Sequence, residues 1–312
     1  MSERQKPVSS PRWQVVHPTR VREWIRERLR SQRVLSTRAN FGIRLSGGLV
    51  CLLAAVAVFG PLITPYDPAA QTLEARLEAP SLAHPLGTDG LGRDVATRIV
   101  YGTRISLALA VAATTIRVTV GTVIGLISGY SGGLVDTVLM RLVDVQLAFP
   151  GLVLALVITG VLGPSLTNVV MALSVVGWAS YARVVRGNVL ATKNSRYVES
   201  ARLYGTPRRR IARRHLLPKV VHPVLVLATM NLGTIILTAA GLSYLGLGAQ
   251  PPTPEWGTMI ADSRIYLRSA PWLVTAPGVT IMATVIGFNV LGDGLRDALD
   301  PDHLEERERR EF

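Results

Sequence analysis

Cysteine is nearly absent from this chain: Cys51 stands alone among 312 residues, so no disulfide can form within it. The five histidines (His17, His84, His215, His222 and His303) are scattered, with no HExxH or CxxC anywhere. No glycine is followed by lysine, so the phosphate loop G-x-x-x-x-G-K-[ST] is missing and this chain is not its own P-loop ATPase. The GxG pieces at Gly90, Gly246 and Gly292 are not completed to GxGxxG. Apolar residues do not alternate with period two, which argues against a β-barrel. No catalytic constellation, cofactor motif or metal-ligand set remains, and an enzyme is not expected.

Charge is scarce as well. Charged residues make up 18% of the chain against 48% hydrophobic, and the mean hydropathy is +0.32. The charges crowd together and leave five long runs without Asp, Glu, Lys or Arg: 45–66, 118–135, 145–182, 220–254 and 269–292. About 20 apolar residues cross a bilayer core of roughly 30 Å as a helix. The longest run holds two such helices, divided at Gly163-Pro164-Ser165, and 118–135 extends backwards through Ile105 if Arg117 is tolerated. The expectation is an all-α membrane protein with six spans near 45–65, 104–129, 137–161, 166–187, 221–248 and 273–293.

The net charge of +13 then marks topology. An even number of spans places both termini on one side. That side carries 11 Arg and Lys in residues 1–44, 11 in 183–222 and 4 in 295–312. The other side carries 4 in 64–104 and 2 in 255–275. The positive-inside rule therefore puts both termini in the cytoplasm, and no nucleic-acid partner is needed to explain the basic charge.

Residues 1–44 form a basic cytoplasmic tail, in which Val21, Trp24, Ile25 and Leu29 recur at helical spacing among arginines. Such a helix suits the anionic inner leaflet, membrane lipid being its partner, and a solvated arm fits equally well. After a first span at 45–66, the external segment 67–103 is rich in proline. It ends in a short amphipathic helix from Gly92, with Val95, Ile99 and Val100 on one face and Arg93, Asp94 and Arg98 on another, suited to lie along the outer interface. The core 104–294 follows, with a second external segment at 250–272, a cytoplasmic loop at 188–220, and a short C-terminal tail at 295–312.

That loop holds the most specific pattern. Glu199-Ser200-Ala201 is followed by Gly205, Ile211, His215 and Leu217-Pro218. Locally, a helix over 195–204 should end at Gly205, which readily adopts the left-handed cap. A second helix should start near Pro207 and be ended or kinked by Pro218. The spacing resembles the EAA loop of ABC importer permeases, with Ser200 in place of the middle Ala and Lys219 where Asn is common.

Further strings are similar to the C-type permease subunits of dipeptide and oligopeptide importers: His84-Pro85-Leu86-Gly87-Thr88-Asp89 with Gly92-Arg93-Asp94, Gly129-Tyr130-Ser131-Gly132-Gly133, Gln250 to Gly257, and Phe288 to Pro301. The resemblance covers about 42–302 and implies a type I importer permease fold in a bacterial inner membrane. It also implies a homologous B-type permease forming a heterodimer with this chain, two cytoplasmic ABC ATPases docking on the loop, and an extracytoplasmic substrate-binding protein. Di- or oligopeptides are the implied cargo, with nickel chelates or another small solute as alternatives. A proton-coupled secondary transporter would need a buried mid-span acid, and only the interfacial Asp136 and Asp144 come near.

Two features of the spans remain. Gly121, Gly125 and Gly129 lie on one face of the second span, where small residues allow close helix approach, within this chain or against a partner. Arg117 stands at the centre of the same span, at a cost of roughly 2.5–3.5 kcal/mol. It either lines the translocation path or snorkels or pairs with another subunit. Asp144 is three residues from Arg141 and the two are expected to meet on one helix face.

Overall fold

The computed structural model describes residues 44–299, and among them every regular element is helical. The expected basic helix near residues 21–29 and the tail beyond residue 299 lie outside the described residues. The helices are α1 (Arg44–Ile63), α2 (Val95–Ser131), α3 (Gly133–Ala148), α4 (Gly151–Leu162), α5 (Leu166–Lys193), α6 (Arg196–Leu203), α7 (Arg208–Ile211), α8 (Leu217–Tyr244), α9 (Trp256–Ser263) and α10 (Trp272–Leu299). Four helices, α1, α2, α5 and α10, together with the continuous run Arg208–Tyr244, are long and apolar enough to cross a membrane.

The third span departs from expectation. It is a pair, α3 and α4, bent by 88° at Phe149-Pro150. Pro150 has no N–H to continue the helix, and its ring drives the preceding residue out of the α region. Phe149 accordingly sits at φ −89°, ψ 138°. Counted as one crossing, the pair brings the total to six.

Contacts fix the directions of the spans. Along α2, Gly121, Gly125 and Gly129 face Tyr181, Val185 and Val189 of α5 in that order, so the two helices run parallel. Gly233 of α8 faces Val285 and Asn289 of α10, while Gly292 faces Met230, so these two run antiparallel. The first half of α1 lies beside the second half of α10 (Leu49 at Gly287), and its end reaches the start of α2 (Gly60 at Val100). Both described ends of the chain therefore lie at the end of the bundle that carries α6 and α7.

The expected interfacial helix from Gly92 does not exist as a separate element. Asp94 caps α2 by accepting from Thr97 N at 2.7 Å, and the helix then runs unbroken into the span. Arg93, Asp94 and Arg98 are buried rather than turned to solvent. The cause is tertiary: residues 66–92 fold over the start of α2 and cover them.

Candidate functional site

The segment joining α5 to α8 begins with α6, an eight-residue helix. It ends in a complete Schellman cap: Thr206 N donates to Ala201 O at 3.0 Å and Gly205 N to Arg202 O at 2.9 Å. Gly205 holds φ +72°, a conformation that disfavours a side chain. Pro207 then precedes the first residue of α7.

One face of this helix–turn–helix is anchored and the other is open. Val198, Ile211 and Leu216 are buried with Tyr181, Val185, Val189 and Val220 in a cluster joining α5, α6, α7 and α8. Glu199, Ser200 and Gly205 are exposed, Ala201 is half-buried, and at the tip Leu203 and Tyr204 are 84% and 89% exposed. His215 is half-buried, its ring 6.0 Å from that of Tyr197. Arg202 lies over the ring of Tyr130 at 5.6 Å, a contact between α6 and the end of α2 that spacing along the chain does not signal.

Pro218 neither ends nor breaks the second helix. A π-helical turn over Ala212–Leu216 precedes it, and the helix continues without a break through Leu217 and Pro218 into α8. A wider turn makes room for the proline ring and tolerates the missing N–H, so the strain is absorbed one turn upstream. Leu217 is half-buried and Pro218 exposed in this continuous rod.

The end of α2 is tied to α5 and α3. Gly132 and Gly133, at φ +68° and +55°, make the joint between α2 and α3. Just beyond it, Asp136 accepts from Ser128 Oγ and from both Nε and Nη2 of Arg186, the latter two at 2.6 and 2.7 Å. Lys193 Nζ donates to Gly129 O at 2.8 Å, placing a cation at the negative end of the helix. Asp144 pairs with Arg183 at 2.7 Å and not with Arg141, since α5 brings a guanidinium across from the facing helix.

The glycine stripe packs within the chain. A Cβ on Gly121 would meet Tyr181 Cβ at 2.5 Å and Trp178 O at 2.6 Å; one on Gly125 would meet Ala182 O at 2.5 Å. On the same helix, Arg117 is half-buried and donates from Nε to Leu173 O at 2.6 Å.

At the opposite end of the bundle, the two external strings meet. Asp89 is the knot of the first: its carboxylate accepts from Leu91 N at 2.9 Å, Arg93 N at 3.0 Å and Arg93 Nε at 2.7 Å, with Arg98 Nε at 3.6 Å. Trp256, fully buried, donates to Ile99 O at 3.3 Å and packs against Gly102, so the second string locks onto α2. Glu255, a buried acid that sequence reading passed over, caps α9 through Thr258 N at 3.0 Å and accepts from Ser106 Oγ at 3.3 Å. Between the strings lies a cavity of about 300 Å³, lined in part by Asp89, Arg93, Arg98, Asp262 and Tyr266. Enclosure there pushes the Asp262 carboxyl above the ordinary carboxylate range, against the pull of Arg93 and Arg98.

Residues 121–303 match the family described as binding-protein-dependent transport system inner membrane component. Residues 38–80 match the N-terminal transmembrane domain of oligopeptide transport permease C. The dipeptide transport system permease protein DppC of Alkalihalophilus pseudofirmus is 46% identical over 79% of this chain and 81% of its own length. The glutathione transport system permease protein GsiD of Pectobacterium atrosepticum is 46% identical over 82% and 85%. DppC of Haemophilus influenzae is 42% identical over 85% and 92%. In fold, the chain is similar to the inward-facing MetNI methionine ABC transporter, with a TM-score of 0.53 at 18% identity over 65% of this chain and 96% of that one. The chain belongs to the binding-protein-dependent transport inner-membrane components, the multi-pass permease subunits of bacterial ABC importers.

Proposed function

We propose that this permease imports di- or oligopeptides across the bacterial inner membrane, driven by ATP hydrolysis in separate subunits that bear on the segment from Glu199 to Pro218. The observation that carries the reading is the build of that segment. Its tip, with Leu203 and Tyr204, is open to a partner, while its base is keyed through Val198, Ile211 and Leu216 into the cluster around α5 and α8. A push on α6 is thus delivered to the membrane helices rather than dissipated in a loop. Turning a 1:99 equilibrium between two conformations into 99:1 takes about 5.5 kcal/mol of differential binding, which an ATPase dimer can supply.

The charge pattern supports a cytoplasmic location for this end of the bundle and for both termini. Relatives named for dipeptide and glutathione transport support a peptide cargo. The assembly is this chain with a homologous B-type permease, two ATPases and an extracytoplasmic binding protein. Reconstituting that assembly in proteoliposomes and following labelled di- and tripeptides tests the reading. Uptake should need ATP, stop with vanadate and ignore ionophores; ionophore-sensitive, vanadate-insensitive uptake would overturn it.

A further inference from the structure

A guanidinium lies in the interior of α2, far from either end. Arg117 is 14 residues from the end of the helix at Ser131, roughly 21 Å at about 1.5 Å per residue. Among the described residues it makes no ion pair. Its side chain crosses α5 at Gly177, where any Cβ would overlap Nε and Cζ, and is anchored by the bond from Nε to Leu173 O at 2.6 Å. The two Nη groups have no hydrogen-bond partner among the described residues.

A charged side chain at this depth is costly, and such groups face protein or a water-filled path rather than lipid. A polar pair lies near Arg117. Tyr181 lies within electrostatic reach, and its hydroxyl accepts from Asn231 Nδ2 of α8 at 3.1 Å. From Asn231, one face of α8 continues through Thr234, Thr238 and Gly241, all at least partly open to the surface.

We propose that the free Nη edge of Arg117 receives a carboxylate of the substrate as it passes through the membrane. Fixing the guanidinium through Nε leaves a planar two-donor fork pre-set for a carboxylate's two oxygens. The anchor at Leu173 and the notch at Gly177 hold the guanidinium in place from within this chain, so the fork keeps its orientation without a permanent carboxylate. The inference rests on the peptide-importer reading and deepens it: the C-terminal carboxylate common to all peptides is the group recognised.

The test uses the reconstituted complex at saturating binding protein, loaded with a dipeptide or its C-terminal amide. Wild type should move the free acid at least tenfold faster than the amide. Arg117→Leu should remove the preference, Arg117→Lys should keep part of it, and Gly177→Ala should mimic Arg117→Leu by displacing the guanidinium. Equal slowing of both substrates, or no change, overturns the inference alone. So does an Arg117→Leu complex that falls apart while Arg117→Lys assembles, which assigns the pair to the partner subunit. Absence of any peptide uptake by wild type overturns the peptide reading and this inference with it.

Discussion

Arg186 grips Asp136 with both ends of its fork, Nε to Oδ1 at 2.6 Å and Nη2 to Oδ2 at 2.7 Å, and so clamps the start of α3 to α5. The clamp lies next to two successive left-handed glycines, Gly132 and Gly133, which leave the joint from α2 to α3 with little stiffness of its own. Both side chains are partly solvated, 32% and 17% exposed, so the pair is worth less than a buried one. Asp136→Ala should destabilise the subunit by about 1–2 kcal/mol. A double-mutant cycle with Arg186→Ala, read by thermal denaturation of the complex in detergent, should recover most of that loss as coupling between the two residues.

The glycine face of α2 makes a graded prediction. At Gly121 and Gly125 the nearest obstacles to a methyl group include backbone oxygens of α5 at 2.6 and 2.5 Å, which move only if the helices separate. At Gly129 the closest atoms belong to the Val189 side chain at 2.8 and 2.9 Å, with backbone oxygen only at 3.2 Å. Alanine at Gly121 or Gly125 should therefore cost about 1–3 kcal/mol, and at Gly129 clearly less. Melting temperatures of the three purified variants check the order; equal losses would contradict the packing argument.

What could be read along the chain was what local chemistry decides. The end of α6 at Gly205 and the restart after Pro207 depend on a few neighbouring residues, and the structure has them within a residue or so of the expected bounds. Pro218 does not end its helix because a proline's effect depends on whether the turn before it can widen, and here residues 212–216 do so. Pro150, in contrast, acts as prolines usually do, yet it sat inside an uncharged run long enough to read as a straight span. The partner of Asp144 was misassigned because helix spacing favours Arg141, whereas packing of α5 supplies Arg183. The external strings around Asp89 and Trp256 are far apart along the chain, and only the fold brings them together on α2.

Among the described residues Asp89 is the one anion within ion-pair distance of two buried arginines, Arg93 and Arg98, which are 5% and 2% exposed, while Asp262 acts on them from across the cavity. Removing one member of a buried charge set leaves the others desolvated and uncompensated, at a cost of about 3–5 kcal/mol. Arg98 retains the carbonyl of Pro68 at 2.9 Å, which eases its loss, while Arg93 keeps no comparable bond. Asp89→Ala should lower the amount of folded protein in membranes several-fold and open residues 66–92 to added protease. The double variant Asp89→Ala/Arg93→Met should recover much of the loss, since an apolar side chain no longer needs the anion.

The last prediction concerns the turn at the tip of the segment between α5 and α8. Gly205 sits at φ +72° with open space around the position of a Cβ, so a substitution there meets no steric neighbour and acts on the backbone alone. A β-branched residue is strained in the left-handed region by about 1–2 kcal/mol, and the strain is relieved by giving up the bonds from Gly205 N to Arg202 O and Thr206 N to Ala201 O. The buried anchors Val198 and Ile211 remain, so the subunit itself should fold and assemble. What changes is the angle at which Glu199, Leu203 and Tyr204 are presented to a partner. Gly205→Val should therefore cut peptide uptake per ATP hydrolysed at least tenfold, while Gly205→Asn, which tolerates the left-handed conformation, should keep most of it. Parallel measurement of ATPase rate and uptake in proteoliposomes separates the outcomes: full coupling in Gly205→Val would mean that the cap at the end of α6 is not part of the transmission path.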